Sequence, residues 1–418
     1  MPWWTSPVGI NVGFLLPMFL LIAGADQSHF EGLTIRGVRF LTAPYIALGA
    51  GLLLVMAFGG WLGGQLKIER PSLRQLDTAA YERAALVVGT VALFAYLIFF
   101  RDFVLHPGLL IRTLIGSYRP DRTTISLSVG ITSLVNVAPV FFSIFGYLRL
   151  TLKRKLGRRL NVMFFVLLGF TLFRVYAWSE RLALIEAAVP LVLAGALRLN
   201  GSPRRLSRLI VRFGPYAALP FLILYFGIAE SVRSWSSATY HQRLGFWQFV
   251  IGRLTSYYYT SLNNGAGVLA TTEWPTYKFE VTLAWLHKAP VIGRLFSAMV
   301  NLRYLEMQRF LGSFGDEEFN NPSGLFGVIY DVGLPLGVLY FAAVGFIATI
   351  LLDAYRSSRQ AGILLYPMFF LFFLEIFRYP YFGASRAFTW MLGIILAVAI
   401  TRSAKYRESA TMQAEPSH

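Results

Sequence analysis

The chain has 418 residues, of which 56% are hydrophobic, 16% aromatic and only 14% charged. A water-soluble domain carries about 25% charged residues, so this composition excludes a soluble enzyme, and so much hydrophobicity excludes intrinsic disorder. What remains is an all-α polytopic membrane protein, in which the formal net charge of +17 reads as topology rather than nucleic-acid binding and the lack of cysteine excludes disulfides, thiolate metal sites and a cysteine nucleophile.

A helical span needs about 20 apolar residues. In chain order the stretches that qualify are 7–24, 42–64, 84–104, 128–150, 160–178, 182–199, 213–230, 325–351, 362–382 and 386–401. The first lacks a basic leader and a small-residue cleavage site, and is predicted to stay as a span. Spans five and six are joined by Ser179, Glu180 and Arg181 and are expected to form a tight antiparallel pair. Segment 231–323 separates spans seven and eight. Loops of that length are usually functional. Stretches 241–263 and 279–312 within it are predicted helical, with breaks at Asn263-Asn264-Gly265 and at Gly312–Gly315. The chain is therefore organised as 1–230 (seven helices), 231–323 (one large, partly helical loop), 324–402 (three helices) and 403–418 (a polar tail predicted to be disordered).

Orientation follows from Lys and Arg in short loops. With both termini inside, segments 65–84, 149–161, 198–212, 353–360 and the tail from 402 hold 20 of them. The short outer segments 25–41 and 101–124, with Arg181 and Arg386, hold 8. The large loop is then external. The basic runs at 153–159 and 204–212 abut spans and lack interleaved aromatics, so they read as anchors and give no support to nucleic acid as a partner.

Ionisable groups inside spans are expensive and are functional candidates by default. Here they are Arg174, Glu186, Glu230, Asp331, Glu375 and Arg378, all in the outer half by this topology, with Arg181 and Arg386 at outer helix ends. Each has a plain structural reading as well. Arg174 could snorkel, Glu375 and Arg378 at i, i+3 could be an ion pair, and Asp331 could hydrogen-bond a neighbouring helix. In the large loop six of eight basic residues are arginine, among them Arg253, Arg294 and Arg303. Arginine grips phosphate oxygens bidentately. Aromatics in the same loop, such as Tyr258 and Trp274, can stack on sugar faces or form an interfacial belt. The five histidines show no metal-ligand spacing, and there is no phosphate-binding glycine loop.

Three stretches carry a resemblance. Residues 320–337, Asn-Asn-Pro-Ser-Gly-Leu-Phe-Gly-Val-Ile-Tyr-Asp-Val-Gly-Leu-Pro-Leu-Gly, lead from the large loop into span eight. They are similar to the corresponding approach in O-antigen polymerases, the Wzy-type oligosaccharide repeat-unit polymerases. The turn Ser179-Glu180-Arg181 resembles the arginine-bearing turn of these polymerases and of O-antigen ligases, and Tyr258–Asn264 looks like a loop segment of the family. Ligases carry a histidine just before the asparagine that leads into the span after the loop. Phe319 stands there in this chain, which favours polymerase.

The resemblance implies a GT-C-like glycosyltransferase in the bacterial inner membrane, with both termini cytoplasmic, that polymerises undecaprenyl-pyrophosphate-linked repeat units at the periplasmic face and needs no cofactor or metal. Its implied partners are the lipid-linked glycan, the bilayer and a chain-length regulator. The same-architecture alternative is an O-antigen ligase, and the non-enzyme alternative is a polysaccharide flippase. Developing charge on a departing diphosphate calls for fixed cations. Arg174, Arg181, Arg378 and Arg386 are assigned to it, with Arg253, Arg294 and Arg303 from the loop. The acceptor hydroxyl calls for a carboxylate base, for which Glu273, Glu280, Asp316 and Asp331 are the candidates. Tyr258 and Trp274 are assigned to sugar stacking.

Overall fold

The computed structural model describes residues 1–25, 33, 38–66, 77–118, 130–178, 180–199, 204–231, 235, 242, 244–289, 293–296, 309–315 and 319–414, with side chains to residue 402. Regular structure among them is helical. The main helices are α1 (Pro7–Ala23), α2 (Ala43–Gln65), α3 (Thr78–Phe99), α4 (Thr132–Thr151), α5 (Arg158–Trp178), α6 (Arg181–Leu199), α7 (Arg205–Glu230), α8 (Phe246–Thr271), α9 (Gly324–Arg356), α10 (Gln360–Glu375) and α11 (Ser385–Ala414). Eight of these, α2 to α7, α9 and α11, are long and apolar enough to cross a membrane. The shorter apolar helices α1 and α10 fall on the first and ninth predicted stretches. The protein is a multi-pass α-helical membrane protein. Phe94, Phe165, Phe221, Leu339 and Ile395 are each at least 60% exposed, as hydrocarbon-facing residues should be.

Local chemistry sets several boundaries. Ser6 caps α1, its Oγ accepting from the Gly9 amide at 3.0 Å, and Pro7 fills the first helical position. Asp77 caps α3, accepting from the Ala80 amide at 3.0 Å. That cap starts α3 before the predicted 84–104 window, which had excluded the polar first turn. The last helix continues to Ala414, through much of the polar tail that composition alone assigns to disorder.

The chain divides into two compact units. The first comprises Met1–Ile68, Leu199–Leu352 and Met368–Ser385. Its core brings backbones together through small residues. A Cβ on Gly345 of α9 would lie 1.9 Å from the Met56 carbonyl of α2, and one on Gly59 of α2 would lie 2.0 Å from the Ala342 carbonyl of α9. Thr349 Oγ1 ties the pair by donating to the Gly60 carbonyl at 2.9 Å. Gly345→Val is therefore expected to destabilise the protein by about 1–3 kcal/mol through overpacking, read as a lowered midpoint of thermal unfolding in detergent. An unchanged midpoint would rule this contact out as a source of stability.

Within the same unit α8 differs from its sequence reading. It runs unbroken through Asn263-Asn264-Gly265, where a break was predicted. Asn263 Oδ1 accepts from the amides of Phe40 and Leu41 at 2.8 and 3.0 Å, and its Nδ2 donates to the Val38 carbonyl. Asn264 Nδ2 donates to the Phe319 carbonyl at 2.8 Å. Gly265 lets α8 meet the chain at Pro322, whose carbonyl would lie 2.5 Å from an added Cβ. These three residues are tertiary anchors, not breakers. The predicted helix 279–312 is also not continuous. Its described residues hold only short pieces such as Ala284–Lys288, and 297–308 lie outside the described residues.

The second unit comprises Glu69–Arg198, Asp353–Pro367 and Arg386–His418. Tyr96 on α3 stacks on Phe170 of α5 and hydrogen-bonds Thr171 at 3.0 Å. Phe145 of α4 stacks on Phe164 of α5 at 4.5 Å. Helix α6 packs on α4, where Gly146 accommodates Leu191 and Thr151 Oγ1 donates to the Ala194 carbonyl.

Candidate functional site

In the first unit a row of charged and aromatic groups gathers around the approach to α9. At its buried end, Arg253 of α8 and Glu230 of α7 form an ion pair at 3.3 Å, both side chains having no solvent exposure. The Arg253 guanidinium lies 4.7 Å from the Phe319 ring centroid. Phe319 meets Tyr257 edge to face at 4.9 Å. Tyr257 in turn lies under the Arg378 guanidinium at 5.4 Å. Arg378 pairs with Glu375 at 2.8 Å and also covers Tyr379 at 5.5 Å. The i, i+3 ion pair read from the sequence is formed. Arg378 is the open end of the row, with 23% of its side chain exposed. Its Nε has no hydrogen-bond partner among the described residues. Tyr258 is half-buried, its ring 6.3 Å from that of Phe377.

The motif residues around 320–337 have packing roles. Gly324 lies where a Cβ would come 2.5 Å from the Ile376 carbonyl, and its amide donates to that carbonyl at 2.9 Å. Ser323 adopts a left-handed φ of 65°, and its Oγ accepts from the Leu325 amide at 3.2 Å. Further on, α9 is interrupted at Gly333 (φ 80°, ψ 170°), with Pro335 two residues beyond. An L side chain strongly resists that φ, and proline supplies no amide. The carbonyls of Tyr330 and Asp331, freed by the break, accept from the amides of Thr276 and Tyr277 at 3.0 and 2.7 Å. Asp331 Oδ2 accepts from the amides of Val281 and Thr282 at 2.9 and 2.6 Å, and from Thr282 Oγ1 at 2.8 Å.

The second unit holds a separate cluster at the α5–α6 turn. Arg174 is buried and donates through Nε to Glu180 at 2.6 Å and through Nη1 to Asn136 Oδ1 at 3.1 Å. Arg386, at the start of α11, donates to Glu180 at 2.8 Å and to Glu186 at 3.0 Å. Glu180 thus serves two arginines. Arg181 is half-buried at the head of α6.

The predicted diphosphate ligands therefore divide. Arg253 and Arg378 belong to the first unit, and Arg174, Arg181 and Arg386 to the second. Arg174, Arg253, Arg378 and Arg386 each face a carboxylate. Only the Glu375–Arg378 pair was signalled by spacing. Arg253–Glu230 and Arg386–Glu186 join residues far apart in sequence and left no local mark. Arg294 is exposed, as are Glu273 and Trp274, while Glu280 is half-buried. Asp331 is fully buried. Asp316 and Arg303 lie outside the described residues. Among the described residues no three His, Cys, Asp or Glu side chains gather to hold a metal.

No protein-family model matches the chain, and neither does any curated protein or solved structure. What supports a function is therefore the chemistry of these clusters together with the sequence resemblance.

Proposed function

We propose that this protein is a membrane glycosyltransferase that polymerises undecaprenyl-pyrophosphate-linked oligosaccharide repeat units, an O-antigen or related surface polysaccharide, at the periplasmic face of the bacterial inner membrane, spanning it ten times with both termini cytoplasmic. One observation carries this reading: the part-exposed Arg378, set over two tyrosine rings at the end of an apolar helix. A fixed cation, aromatic faces and apolar walls suit a ligand that joins an anionic diphosphate to a sugar and a prenyl chain. In the reaction an acceptor hydroxyl oxygen attacks the anomeric carbon of the donor. The bond to the diphosphate oxygen breaks, the hydroxyl proton passes to a carboxylate base, and the prenyl diphosphate leaves with the electron pair. Arg378 is assigned to the leaving diphosphate, where preorganised positive charge has most effect. Glu273, which is exposed, is the described candidate for the base; both carboxylate oxygens of Glu280 are buried, and Asp316 lies outside the described residues.

A second reading, a flippase, draws on the interrupted α9, since transporters bind substrate at discontinuous helices. Here the freed carbonyls of the break are already taken by Thr276 and Tyr277, which leaves less for a cargo to bind. The ligase alternative has no imidazole at Phe319, which is packed between Arg253 and Tyr257. Deleting the gene separates the three. A polymerase leaves glycan capped by a single repeat unit, and restoring the gene restores long chains. Loss of even single-repeat product, with lipid-linked material accumulating, indicates ligase when that material is external and flippase when it is internal. Normal chain lengths in the deletion strain overturn the proposal.

A further inference from the structure

The segment Trp274–Thr282 is fastened to α9 at both of its ends. Its first part gives the Thr276 and Tyr277 amides to the carbonyls of Tyr330 and Asp331. Its last part gives the Val281 and Thr282 amides and the Thr282 hydroxyl to the Asp331 carboxylate. Pro275 packs against Gly333 at the break, 3.2 Å from where a Cβ would stand. Gly327 and Gly383 leave room for Val281, whose atoms would lie within 2.7 Å and 2.1 Å of a Cβ at either position. Between the two fastenings Tyr277 and Phe279 adopt left-handed φ values of 52° and 56°. Bulky residues hold that conformation only where the surroundings over-determine it. The reward is display: Tyr277 is 59% exposed and Phe279 39%, while Thr276 and Val281 beneath them are buried.

We propose that Asp331 is a positioning residue that clips the 274–282 strap across the break in α9, and that the strap, with Trp274, Tyr277 and Phe279 facing outward, is the element that meets the sugar of the substrate. The second half rests on the glycosyltransferase reading above. The first does not. Asp331 Oδ2 already accepts three hydrogen bonds, and Oδ1, though without a hydrogen-bond partner among the described residues, is buried like the rest of the side chain, so the carboxylate is tied to the strap and not open to an incoming hydroxyl.

The absence of cysteine makes the test direct in the full-length protein. Thr276→Cys places one thiol at a site that is 6% exposed, and its reaction with a maleimide reports release of the strap. In that background Asp331→Ala is expected to raise the labelling rate about tenfold or more and to abolish chain extension, whereas Asp331→Asn, whose amide oxygen can still accept from Val281 and Thr282, holds both within about threefold of the parent. Thr282→Val, which deletes one donor, is scored if Asp331→Ala fails to accumulate, and is expected to raise labelling about threefold. Unchanged labelling in Asp331→Ala, or in Thr282→Val where that stands in for it, overturns the clip. Loss of extension in Asp331→Asn with labelling unchanged makes Asp331 a base and overturns the positioning role. Labelling needs no turnover, so it decides the clip even if the deletion strain rejects the polymerase. If extension survives Tyr277→Ala and Phe279→Ala together, the strap does not meet the sugar.

Discussion

Arg378→Ala is expected to reduce chain extension by about 10²–10³-fold while the protein still accumulates in the membrane, because removing one preorganised charge donor at a site of developing charge has effects of that size. Three of the other candidate arginines are less available to a ligand. Arg174 gives Nε to Glu180 and Nη1 to Asn136, Arg386 divides its two Nη groups between Glu180 and Glu186, and Arg253 is sealed from solvent. Arg378 meets one carboxylate through Nη1, lies 5.4 and 5.5 Å from the ring centroids of Tyr257 and Tyr379, and keeps part of its surface open. Its guanidinium can hold Glu375 with one edge and an incoming diphosphate with the other. Lysine offers a point charge with no planar face, so Arg378→Lys is expected to fall at least about tenfold rather than rescue. Glycan ladders resolved by gel, normalised to membrane protein, measure both variants. A full ladder in Arg378→Ala would remove this residue from the reaction.

The largest effect on stability is expected at Arg253 and Glu230. With both side chains at zero exposure, removing either partner breaks a fully buried ion pair, which typically destabilises by about 3–5 kcal/mol. Arg253→Met and Glu230→Leu should each show it. Replacing both together with Met and Leu should recover most of the loss, since apolar groups of similar volume carry no desolvation penalty. The Phe319 ring at 4.7 Å and Phe249 at 5.9 Å provide an apolar bed for the methionine. Thermal unfolding of the four proteins in detergent completes the cycle. Single variants within about 1 kcal/mol of the parent would mean that this pair is hydrated and not the buried anchor described.

The helices were legible because hydrocarbon imposes a length and a polarity that composition records directly. Boundaries moved where a single side chain decided them, as Asp77 does for α3. What local pattern could not show is partnership at a distance. Asn263-Asn264-Gly265 carries the signature of a turn, and only the three-dimensional neighbours, Phe40, Leu41, Phe319 and Pro322, turn those residues into anchors of a straight helix. The arginines were visible as candidates, but their carboxylates were not visible as partners, apart from Glu375 at i, i+3. Asp331 was one of six ionisable groups read inside spans. Its actual neighbours come from a segment some fifty residues earlier that no periodicity links to it.

The interruption at Gly333 also acts as a depth gauge. At about 1.5 Å per residue, the stretch from Leu334 to Leu352 rises about 28 Å, close to the thickness of a hydrocarbon layer. The exposed pair Asp353 and Arg356 marks its far end. The stretch beyond the break is thus long enough by itself to cross such a layer, and the turns from Gly324 to Val332 are length beyond what a crossing needs. Asp331 belongs to those extra turns. One of the six ionisable groups read inside spans therefore falls outside the stretch that a crossing requires.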